Sequence, residues 1–153
     1  MNSDIKDPIK NPAHYTQGQY ECWDAMEDLL GRELVNDFCI GCAFKYIWRE
    51  DLKNSSVEDI EKAIVYLNKY AELNELSVNV YKTMSIQYVQ FYPYYKSHKC
   101  EQSVMDYFLL RGFECLIHFR IDCDIDPIQR CDLLIESLAN LNAWVLIQNE
   151  GDI

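Results

Sequence analysis

Apolar residues recur three and four positions apart along most of this chain, which is the period of an α-helix. Cys22, Met26, Leu29 and Leu30 place a short helix over 21–30, and Gly31 is its natural stop. Leu34, Phe38, Ile40 or Gly41, Phe44, Ile47 and Trp48 give an apolar stripe that predicts a second helix over 33–51. Gly41 costs about 1 kcal/mol against alanine in such a helix, so a close helix crossing or a ligand near the backbone is expected there. Ser55 followed by Glu58 is a capping-box pattern that starts a third helix near Ser56. Ile60, Ala63, Ile64, Leu67 and Ala71 line one face of that helix, and Glu58 and Lys62 form an i,i+4 ion pair on another.

The second half continues the pattern with fewer landmarks. An aromatic-rich helix over 78–92 should end at Pro93, and one over 102–110 should end at Gly112. The apolar run 113–121 reads as a further short helix. Asp126-Pro127 is an N-cap followed by proline at the first helical position. The helix it opens carries Ile128, Cys131, Leu134, Ile135, Leu138, Leu141, Trp144 and Val145 on one face. Before all of these stands an irregular stretch, residues 1–20, broken by Pro8, Pro12 and Gly18. The expected fold is therefore all-α: a compact helical domain of about six to seven helices with an irregular N-terminal arm. Residues 1–76 form its first unit, and 77–153 a helical extension packed on it.

Composition narrows the function. The chain has 153 residues, 49% hydrophobic and 25% charged, which is a globular balance and can bury a sizeable core. Its formal net charge of −11 opposes binding to a nucleic-acid polymer, though not to one small anion in a locally basic pocket. Seven cysteines, an odd number set in apolar helical patterns, fit structural thiols in a reducing cytoplasm. No stretch is long and apolar enough for a membrane partner. The cluster Val89-Gln90-Phe91-Tyr92-Pro93-Tyr94-Tyr95 exceeds what one small domain can hide, so a homo-oligomer with an interface in the second half is expected.

Three blocks carry candidate chemistry. His14, Tyr15 and Thr16 lie on the arm, where loops held against a scaffold often carry function. Lys45 and Arg49 are one turn apart on the second helix, and Lys53 can follow them. Arginine offers a planar fork to phosphate, lysine a point charge, and histidine and threonine short donors. Tyr15, Tyr46 and Trp48 are candidate stacking surfaces for a base. The competing reading makes the cations ion-pair partners of the chain's many carboxylates, Asp59 or Glu61 among them; from spacing alone this bland reading is favoured.

At these residues the sequence resembles a family of small phage proteins long labelled as of unknown function. Its signs are His14-Tyr15-Thr16, then Cys22-x-Asp24, then Phe38-x-x-Gly41-x-Ala43-x-Lys45-Tyr46-Ile47-x-Arg49. Glu58-Asp59-x-x-Lys62-Ala63-x-x-Tyr66-Leu67 completes the order. The resemblance covers roughly residues 9–70. One member to which it points is a nucleotide kinase of a short-tailed coliphage that lacks a P-loop. The resemblance implicates His14, Tyr15, Thr16, Lys45, Tyr46, Arg49 and Lys62 in nucleotide binding, with Asp59 beside them. Cys42 stands where that family usually has asparagine, and Glu50-Asp51-Leu52-Lys53 replaces a basic, glycine-containing turn. Those departures weigh against phosphoryl transfer more than against binding.

Other constellations are weaker. Cys39-x-x-Cys42 with Cys115-x-x-His118 could form a zinc site, but both pairs sit in apolar helical runs. Asp122-x-Asp124-x-Asp126 lacks the glycine and the twelfth-position glutamate of a calcium loop. No metal or cofactor is expected. No phosphate loop, nucleophile elbow or His-Glu-x-x-His motif is present, and no catalytic residue is assigned. The leading expectation is a phage-encoded protein of the infected-cell cytoplasm. It would capture a small nucleotide or nucleotide-derived ligand, cyclic immune-signalling nucleotides included, and so counter host defence. The alternatives are a nucleoside monophosphate kinase without a P-loop, or an acidic inhibitor that binds a host protein.

Overall fold

The structure, a computed structural model, describes residues 21–50, 56–98, 101–121 and 124–150, with side chains described outside 91–98, 101–106 and 121. The arm that bears His14, Tyr15 and Thr16 lies outside the described residues, as do Lys53 and Ser55. The chain is all-α. Six helices follow one another among the described residues: α1 Cys22–Leu30, α2 Arg32–Trp48, α3 Ser56–Leu73, α4 Tyr81–His98, α5 Glu101–Ile121 and α6 Pro127–Glu150. No helix is long and apolar enough to cross a membrane among the described residues.

Gly31 both closes α1 and opens α2. Its φ of 80° lies in the region that favours glycine, its N–H reaches the Glu27 carbonyl, and its carbonyl accepts from Val35. At the start of α6, Asp126 accepts from the backbone N–H groups of Ile128 and Gln129 at 2.8 and 3.0 Å, the N-cap that its sequence implies.

One core runs through both halves of the chain. Ile60, Ala63, Ile64, Leu67 and Ala71 of α3 pack in it with Leu134, Leu138, Leu141, Trp144 and Val145 of α6, and with Leu116 and Phe119 of α5. A smaller cluster of Val35, Cys39 and Leu73 seats Trp23 and Met26 of α1. Asn36 and Asn74 exchange side-chain hydrogen bonds at 3.1 and 2.9 Å, pinning α2 to the end of α3.

Five expectations from the sequence are corrected in whole or in part. Gly112 does not end a helix: α5 runs unbroken from Glu101 to Ile121, joining two expected segments. The glycine is instead the close crossing point of α5 with α6. A Cβ there would stand 2.8 Å from Leu141 Cγ and 3.2 Å from the Ser137 carbonyl, and Ser137 Oγ donates to the Gly112 carbonyl at 2.7 Å. Pro93 does not end α4, which continues to His98. Proline removes one hydrogen bond from the turn before it, and packing of α4 along α6 offsets that loss. Gly41 makes no close crossing among the described residues, since a Cβ there would meet nothing within 4 Å. The stripe of α2 is only partly the buried one: Ile40 and Ile47 face the core as expected, and its other apolar members do not. Val35, Cys39, Ile40, Cys42, Ala43 and Ile47 are buried, while Leu34, Phe38, Phe44 and Trp48 are exposed. Ile128, expected on the buried face of α6, is exposed as well, in the first turn of the helix.

Candidate functional site

α2 and α3 lie side by side, and their shared edge brings two of the sequence blocks together. Arg49 follows the last residue of α2, and Asp59 sits in the first turn of α3. The guanidinium grips the carboxylate as a fork: Nε donates to Oδ2 at 2.7 Å and Nη2 to Oδ1 at 2.9 Å. Asp59 is 1% exposed and the Arg49 side chain 28%, so the pair spans from core to surface. The hydrogen bonds that Arg49 donates to Asp59 push the guanidinium pKa above its already high ordinary value, with desolvation opposing. Arg49 is therefore a fixed cation whose direction is set by a buried anchor.

Tyr46 gathers the positive charge. Arg49 Cζ lies 4.5 Å from its ring centroid, Lys45 Nζ 4.6 Å and Lys62 Nζ 5.9 Å. Cations are drawn to the negative face of an aromatic ring, which lets three of them gather where bare repulsion would spread them. Lys62 also pairs with Glu58 one turn earlier on α3. Tyr46 stacks on Tyr66 with centroids 5.8 Å apart and rings 22° from parallel. Tyr66 in turn meets Trp23 and Phe38 edge-on at 5.7 and 5.9 Å. The result is an aromatic seam along α1, α2 and α3, with cations over one end.

Lys45, Tyr46, Arg49 and Lys62 are thus brought together, and His14, Tyr15 and Thr16 lie outside the described residues. The ring of Tyr46 is engaged by Tyr66 and by cations, so it serves as a platform for charge more than as an open stacking face for a base. Trp23 is a seam residue that the sequence does not mark, and Tyr66 stands in the third block without a site role. For Tyr66 the signal is helical spacing: Lys62, Tyr66, Lys69 and Tyr70 fall within one stripe of α3.

A groove of about 740 Å³ lies on another face of α3, where α4 and α6 approach it. Glu21, Glu61 and Glu72 stand there against Lys69 and Lys82, a balance that does not favour an anion. The Tyr46 cluster is the better candidate because three cations gather at one ring against two carboxylates, Asp59 on Arg49 and Glu58 on Lys62.

The thiols are placed by packing. Cys39, Cys42 and Cys115 are buried, and burial pushes the Cys39 thiol up to about 12 and that of Cys115 up to about 11. His118 is exposed, so it does not complete the Cys115-x-x-His118 pair inward. Among the described residues no three His, Cys, Asp or Glu side chains converge as metal ligands.

Residues 9–68 match the model of a family described only as protein of unknown function, DUF3310. The match spans α1, α2 and the Arg49–Asp59 pair, and stops within α3. No curated protein and no solved structure matches the chain.

Proposed function

We propose that the protein binds a small nucleotide-type phosphate ligand at the Tyr46 edge of α2 and α3 and holds it without turnover. The observation that carries this reading is the placement of Lys45, Arg49 and Lys62 within 6 Å of one tyrosine ring, in a chain of net charge −11. An acidic chain has carboxylates enough to disperse its cations, so three around one ring favour an anionic guest. Lys45 and Lys62 supply the adaptable phosphate contacts, while Arg49, held by Asp59, supplies a fixed field. The resemblance of the three sequence blocks to a phage family with a nucleotide kinase supports a nucleotide as the guest. It also supports a setting in the cytoplasm of an infected cell. Capture is favoured over phosphoryl transfer because two nitrogens of the Arg49 fork are committed to a buried carboxylate, not presented to a transferring group. Withdrawal of a defence signal is the role such capture would serve.

The test is to follow ligand and product together. The protein is incubated with each nucleoside monophosphate plus ATP, and separately with cyclic dinucleotides, and then denatured. Capture expects a rise in melting temperature with one ligand and recovery of that ligand unchanged. Formation of a diphosphate would replace capture with kinase activity. Absence of a shift with every nucleotide would remove the reading.

A further inference from the structure

Helix α2 exposes an apolar face that its neighbours among the described residues cover only at the edges, Phe113 beside Phe44 and Trp48, and Trp23 and Tyr66 beside Phe38. Leu34 is 59% exposed, Phe38 43%, Phe44 41% and Trp48 66%. Phe44 and Trp48 stack on each other 12° from parallel, and both approach Phe113 of α5. Leu110, one turn before Phe113, is 64% exposed. These side chains expose on the order of 600 Å², at the top of the ~300–600 Å² of the largest patch on a typical monomer. A standard interface buries ~800 Å² on each partner.

The order of residues says what covers this face. The stripe is symmetric about Gly41. Three positions either side stand Phe38 and Phe44; four either side, Asp37 and Lys45; seven either side, Leu34 and Trp48. A two-fold axis through Gly41 sets each position before the glycine against its counterpart after it on an antiparallel copy. Aromatic then meets aromatic, leucine meets tryptophan, and each Asp37 meets a Lys45 of opposite charge. Gly41 explains itself in the same arrangement. It is exposed, mid-helical, and meets nothing within 4 Å, so nothing within the described chain repays its cost in helix propensity. At a crossing it removes the Cβ that would keep two helix axes apart.

We propose that α2 is the interface of a homodimer, in which two copies cross antiparallel at Gly41. Asp37 already accepts from Arg120 at 3.0 Å, and as both side chains are 61% exposed that contact leaves room for the partner's lysine. A membrane or nucleic-acid occupant fits poorly, because the stripe carries an acid and the chain as a whole is strongly negative. The inference does not depend on the ligand reading. Lys45 borders both regions, but Leu34 and Trp48 do not belong to the Tyr46 cluster.

Light scattering of the full chain at micromolar concentration decides it. The wild type is expected at twice its 18.1 kDa. Leu34→Glu with Trp48→Glu, both on exposed side chains, is expected to halve the mass with an unchanged helical circular dichroism spectrum, and Gly41→Leu to do the same. Asp37→Lys should also give monomer, and adding Lys45→Asp should restore the dimer by exchanging the charges. A monomeric wild type, or an assembly whose mass these changes leave intact, overturns the proposal.

Discussion

Arg49 does two jobs, and they pull its mutational signature in two directions. Its fork satisfies a carboxylate that is 1% exposed, and its charge stands over Tyr46. Removing it leaves Asp59 charged and buried without that partner, which folded proteins tolerate poorly. We expect Arg49→Ala to lower the melting temperature well beyond what Lys45→Ala or Lys62→Ala does. A melting curve of Arg49→Ala that overlays the wild type would show the fork to be dispensable to the fold. The sequence reading held both roles apart as rivals, phosphate ligand or partner of Asp59. Spacing along one helix cannot reveal that the second helix delivers the carboxylate.

Cys39 gives a second residue-scale expectation. In the unfolded chain its thiol ionises near ~8.5, and in the folded chain burial holds it protonated up to about 12. A group that stays neutral only when folded contributes fully below the unfolded pKa. That contribution is lost as pH climbs from there toward the folded value. Stability should therefore decline through the alkaline range, and Cys39→Ala should flatten part of the decline even as it opens a small cavity. In a thiol-labelling time course at mild alkaline pH, Cys22 and Cys131, which are partly exposed, should react well before Cys39. Equal rates would contradict the burial.

At the scale of elements, Gly112 takes the close-crossing role that the sequence implies for Gly41. Gly112→Ala must push against Leu141 and the Ser137 carbonyl, a clash that should cost about 1–3 kcal/mol. Gly41→Ala meets nothing in the monomer and should stabilise the helix by about 1 kcal/mol when the chain is dilute enough to be monomeric. Denaturant unfolding of both variants checks the pair, and a destabilised Gly41→Ala monomer would contradict the open space seen there. A glycine in a helical pattern signals either an end or a close approach, and only the position of the neighbouring helix separates them. The faces of α2 were illegible for a related reason. Both sides of that helix are apolar, so periodicity marks two faces and does not say which turns inward. Where one face alone was apolar, as in α3, the buried set Ile60, Ala63, Ile64, Leu67 and Ala71 was readable, and local chemistry marked the starts and stops at Gly31 and Asp126.

Over the whole molecule, the second half of the chain builds the scaffold on which the first half's candidate site rests. α6 fills the core against α3, α4 and α5, and α3 carries Asp59, Lys62 and Tyr66 on the face turned to α2. The site's elements were legible as three blocks in order, and their convergence of Lys45, Arg49 and Lys62 on Tyr46 was not, because it depends on how α2 and α3 are set side by side. The aromatic cluster from which an interface was expected lies mostly outside the described side chains, with Phe91, Tyr92, Tyr94 and Tyr95 among them. The exposed stripe of α2 is a separate surface. The central claim remains the anionic guest at Tyr46. Isothermal titration with nucleoside mono-, di- and triphosphates and cyclic dinucleotides, on the wild type and on Lys45→Ala and Lys62→Ala, tests it most directly. Loss of one charged hydrogen bond to phosphate removes about 1.5–3 kcal/mol, roughly a tenfold to hundredfold drop in affinity, while neither side chain is buried and the melting temperature should stay near its original value. Heat from one nucleotide with the wild type, weakened by that factor in each variant, is the result expected. No heat from any nucleotide, or an affinity that both variants retain, would contradict the claim.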